Sequence, residues 1–134
     1  MEHFRTIVKW IESEAGLTLG TNLFADYLPQ DAPETYYLLL DQAGGDIVVS
    51  LPDRADMRIN LICSAPEAYD ARTNAQTVYD LLHVRIDQDT PIVNTEDYTV
   101  MVGHAESTPQ YAGLDYRRNH SFLTTYTFKL REKE

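Results

Sequence analysis

Residues 122 to 130, FLTTYTFKL, alternate without a break. Phe122, Thr124, Tyr126, Phe128 and Leu130 fall on one side, and Leu123, Thr125, Thr127 and Lys129 on the other. Successive side chains of a strand point to opposite faces, so this pattern specifies a strand whose aromatic face is covered by something else in the chain. DMRINLIC, residues 56 to 63, repeats the pattern: Met57, Ile59, Leu61 and Cys63 face one way, and Arg58, Asn60, Ile62 and the following Ser64 the other. YYLLL at 36 to 40 suits a strand closed by the glycine turn DQAGGD. YTVMVGH at 98 to 104 alternates again, with Tyr98, Val100 and Val102 opposite Met101. IVVSLPDR offers a further short strand or an extended flap that Pro52 ends.

Two helical stripes supply the cover. In residues 3 to 15, HFRTIVKWIESEA, Phe4, Ile7, Val8 and Ile11 recur at i, i+3, i+4 and i+7, and Gly16 is placed to stop the helix. Ser64 and Glu67 have capping-box spacing, with Pro66 in the first turn, so a second helix is expected from there to about His83. Its stripe is Ala68, Ala71, Ala75, Val78, Tyr79 and Leu82. The chain from Leu17 to Pro33 reads as a long loop whose Leu23, Phe24, Tyr27 and Leu28 pack locally. Neither helix can bury its stripe alone. The expected fold is therefore α+β: a single mainly antiparallel sheet of about four strands with two helices on one face, in the order α-β-β-α-β-β.

At 134 residues the chain fits one domain, and folding should bury about two-thirds of the surface exposed by the unfolded chain. Its 43% hydrophobic and 24% charged residues are those of an ordinary soluble domain, without a segment long enough to span a membrane. MEHFRTIVKW lacks the apolar core of a signal peptide, so a cytoplasmic protein is expected. Lys and Arg total 11 against 21 Asp and Glu, a formal charge of −10 that opposes binding to phosphate backbones.

Catalytic signatures are sparse. His3, His83, His104 and His120 fall on separate elements without metal-ligand spacing, and His83 suits the C-terminal dipole of the second helix. His120 reads as a loop residue beside two arginines. Cys63 on a core-facing strand reads as a structural thiol, although a thiol preceding a helix can also be a nucleophile. The glycines form no phosphate-binding loop. Neither a catalytic nor a metal residue is assigned, and no cofactor.

Two features ask for a partner. Ile47, Val48 and Val49 lie between turn signals without an obvious place in the sheet. Tyr111, Leu114 and Tyr116 beside Arg117 and Arg118 have the aromatic and arginine enrichment of protein interfaces. The segment from Tyr111 to His120 is read as an aromatic, basic loop feeding the last strand.

Taken in order, LLLDQAGGD, then LPDRADMRINLICSAPEAYDARTNAQTVYDLLH, then PQYAGLDYRRNHSFLTTYTF resemble the small phage proteins known as minor capsid or tail-terminator (tail-completion, head–tail joining) proteins. The matching pattern is a glycine turn after the first strand, a polar turn entering the second, a helix ending in YDLLH and a P-Q-Y-x-G turn before a closing strand. The resemblance implies a non-enzymatic structural protein, without a cofactor, that assembles with itself into a ring of usually about six subunits. The ring would sit at the head-proximal end of a phage tail, stop tube growth and meet the head connector. In a bacterial genome such a protein would belong to a prophage. Its partners would be itself, tail-tube proteins and connector proteins, with no sequence-specific nucleic acid and no membrane.

A negative excess would suit a channel through which DNA passes, because carboxylates facing the lumen repel phosphates. The competing readings are a small acidic binding or inhibitor module acting on a basic protein partner, and an enzyme built on Cys63 or the histidines.

Overall fold

The computed structural model describes residues 2–42, 54–83, 93–94 and 98–132. Helix α1 spans Glu2–Ala15 and is followed by strands β1 (Leu23–Ala25), β2 (Tyr36–Gln42) and β3 (Arg54–Ala65). Helix α2 (Ala68–His83) precedes β4 (Val93–Asn94), β5 (Tyr98–Ala105), β6 (Gln110–Leu114) and β7 (His120–Glu132). Among the described residues these strands form one seven-stranded sheet in the order β1-β2-β3-β7-β5-β4, with β6 also paired to β7.

The alternating segments form the centre of this sheet. β7 runs antiparallel along the whole length of β3, with Ile59 opposite Tyr126, Leu61 opposite Thr124 and Cys63 opposite Phe122. Tyr37 and Leu39 of β2 continue the same face opposite Cys63 and Leu61. Onto that face come Ile7, Val8 and Ile11 of α1 and Ala71, Ala75 and Val78 of α2, which share one buried cluster with the strand residues. Each buried Ile, Leu or Val contributes about 1.5–3 kcal/mol of transfer free energy, enough to hold both stripes against water. Small residues at 71 and 75 let the backbone of α2 approach closely. Trp10 meets Phe128 edge to face, with ring centroids 6.3 Å apart.

α1 stops where the sequence predicts. Gly16 takes φ +67°, and the N–H of Leu17 reaches the carbonyl of Glu12 at 3.0 Å, a Schellman closure.

Several expectations need correction. The sheet is mixed and larger than expected, because β1 pairs in parallel with β2 and the elements β1, β4 and β6 add to it. β1 lies in the segment read as loop; its Leu23 joins the main core, while Phe24 and Leu28 pack in a second cluster with Ala32, Tyr36 and Leu38. Tyr27, expected to pack locally, is 71% exposed. The connection through residues 26 to 35 is a parallel crossover and runs over the face opposite the helices.

α2 begins later than its capping-box spacing suggests. Ser64 is the penultimate residue of β3, buried and bonded to the hydroxyl of Ser121 at 2.6 Å, so strand pairing claims it before a cap can form. In β5 a register shift at Met101 interrupts the expected alternation: Val100 opposes Leu130 and Val102 opposes Lys129. The expected element at residues 47 to 51 lies outside the described residues.

Candidate assembly surface

The suspected loop from Tyr111 to His120 is a hairpin: β6, a turn at residues 115 to 119, and the start of β7. Its first part is a strand that sequence reasoning missed, because Gly113 interrupts any alternation. Tyr111 opposes Phe122, Gly113 opposes Ser121 and Leu114 opposes His120, with a bulge between Tyr111 and Gly113. Gly113 takes φ +95°, a backbone conformation that side chains disfavour.

Asp115 organises the turn. One carboxylate oxygen accepts the backbone N–H groups of Arg117 and Asn119, each at 2.8 Å. The other accepts the Tyr36 hydroxyl at 2.9 Å. The Asn119 N–H bond, the Tyr36 hydroxyl and the Arg117 N–H outweigh the upward effect of burial and hold the Asp115 carboxyl below its usual range. Burial, reinforced by the Asp115 charge, pushes the Tyr36 phenol up. Arg118 takes φ +64° and donates its N–H to the Asp115 carbonyl at 3.0 Å, closing the turn.

Arg117 does not project as a free contact residue. Its guanidinium lies 5.9 Å from the Tyr36 ring centroid and 5.5 Å from that of Tyr116. It donates to the carbonyls of Ala32 and Pro33 at 2.6 and 3.0 Å. The residue clamps the hairpin to the crossover loop.

The other expected contact residues divide between surfaces. Tyr111 and Leu114 are 52% and 56% exposed on the helix side of the sheet end. Tyr116, which is also exposed, lies beside Arg117 toward the crossover, and Arg118 is exposed at the turn. His120 is half-buried at the start of β7, and its Nδ1 meets the Tyr111 hydroxyl at 2.9 Å, so it is not the loop residue expected. Ile47, Val48 and Val49 lie outside the described residues.

Sequence reasoning also passed over Arg72 and Tyr69. Arg72 of α2 lies over the Phe122 ring, 5.5 Å from its centroid, and Tyr69, one turn earlier on the same flank, is exposed. A tyrosine off the apolar stripe of α2 was the available signal.

Cys63 is fully buried, and burial pushes its thiol well above the ordinary range. Among the described residues no three His, Cys, Asp or Glu side chains assemble as a metal-ligand set. No protein-family model matches this chain, and no curated protein matches it.

Proposed function

We propose that this protein is a structural phage or prophage morphogenesis protein that forms a ring at the head-proximal end of the tail, ends tube growth and joins tail to head. The reading starts from the resemblance of its sequence patterns to tail-terminator proteins. The observation that carries it furthest is the division of exposed large apolar side chains between two sides of one sheet end: Tyr111 and Leu114 on the helix side, Tyr27 and Tyr116 toward the crossover. A closed ring requires two different surfaces per subunit, each complementary to the other. The hairpin clamp supports this use, because it fixes both surfaces on one rigid support and lowers the ordering cost of association.

The test is solution mass by light scattering over a concentration series, with negative-stain imaging of any large species. Closed rings support the reading. A strict monomer that captures a basic protein, with affinity falling steeply as salt rises, favours the acidic binding-module reading instead.

A further inference from the structure

The end of the sheet bearing the hairpin turn carries Arg72 on its helix face and a cluster of carboxylates on its crossover face. On the helix face, Tyr111 and Arg72 both rest on Phe122, Tyr111 at 5.4 Å between ring centroids. Tyr69 extends this surface along α2 and Leu114 along β6. The neighbouring Asp70 lies on the opposite flank of α2 by helical spacing. Arg118 adds a second cation at the turn.

On the other face, the crossover carries Asp26, Asp31 and Glu34, all exposed, with no Lys or Arg between residues 26 and 35. The Arg117 clamp fixes this loop to the same turn and sets one cation beside the three carboxylates, which leaves the crossover acidic. Among the described residues the ion pair is Arg58–Glu106, and neither Arg72 and Arg118 nor the three crossover carboxylates form one with another described residue.

Surfaces on opposite faces of one sheet cannot meet within a molecule. The crossover placed against its own copy across a two-fold axis would bring carboxylates together, whereas placed against the surface around Arg72 it is complementary. We propose that the acidic crossover of one copy, centred on Asp31 and Glu34, docks on the Tyr69–Arg72–Tyr111–Leu114 surface of the next. Tyr27 on the first surface and the tyrosines of the second supply amphipathic contact area. The proposal rests on self-assembly as read above and names the contact that produces it.

Two full-length variants test it by complementation: Asp31→Lys/Glu34→Lys, which reverses the crossover, and Arg72→Glu/Arg118→Glu, which reverses the patch. Association is read by light scattering, with circular dichroism confirming the fold. Each variant alone should associate at least tenfold more weakly than the parent chain, and a mixture in equal parts should regain association with both variants in each particle. If a reversal unfolds the chain, Asp31→Asn/Glu34→Gln and Arg72→Gln ask the same question by neutralisation. Parent rings that persist in both variants would overturn this contact while leaving the ring reading intact. Loss of assembly in each variant without recovery on mixing would overturn the contact as well. A parent chain monomeric at every concentration would overturn both contact and ring.

Discussion

The guanidinium of Arg117 donates to the carbonyl of Ala32 at 2.6 Å, joining the hairpin turn to a loop far away in sequence. A residue that in sequence resembles an interface arginine is thereby a brace. Arg117→Ala should lower stability by about 1.5–3 kcal/mol, the range for hydrogen bonds to charged groups. Arg117→Lys should recover only part of this, because an ammonium cannot reproduce the planar two-carbonyl contact. Urea denaturation midpoints decide it, and an unchanged midpoint for Arg117→Ala would show that the brace carries no load.

Asp115 gives the turn a pH dependence. Its folded carboxyl titrates below the unfolded value of about 3.9, so its stabilising effect is fully present above that pH and disappears as pH falls through the lower folded value. Asp115→Asn should therefore be less stable than the parent chain at pH 6, with the gap closing below about pH 4. Denaturation midpoints at several pH values measure the gap, and a constant difference down to pH 2 would contradict this assignment.

Gly113 sits in the β6 bulge at φ +95°, and a Cβ built there meets nothing within 4 Å. The cost of Gly113→Ala is then one of backbone conformation rather than collision, about 1–2 kcal/mol. Thermal unfolding should show a lower midpoint with the same secondary structure content. A stabilised variant would mean that the bulge relaxes.

Cys63 should resist modification. Its thiol is buried and held protonated, so a thiol reagent at neutral pH should label it only as fast as the protein unfolds. Labelling of the native protein within seconds would revive the reading of this residue as a nucleophile.

The central elements were legible because their patterns are long. β3 and β7 show unbroken alternation, and the buried residues Ile59, Leu61, Cys63, Phe122, Tyr126 and Phe128 are those the alternation selects. The short elements were not legible. Leu23–Ala25 is too brief to show a period, and β6 contains the glycine that forms its bulge. Both depend on partners supplied by other parts of the chain, β2 for the first and β7 for the second.

The candidate surface divides along the same line. The exposure of Tyr111, Leu114 and Tyr116 follows the composition that marked them, whereas the roles of Arg117, Arg72 and Tyr69 depend on residues distant in sequence. By itself the sequence determined the two amphipathic helices, the central antiparallel pair and the face each presents to the core, because side-chain period is a local property of the chain. Only the tertiary structure decided that β1 lies parallel to β2, that Ser64 pairs with Ser121 instead of capping a helix, and that Arg117 braces a loop. Hydrogen-bond partners and charge neighbours are chosen by proximity in space, which no local pattern encodes.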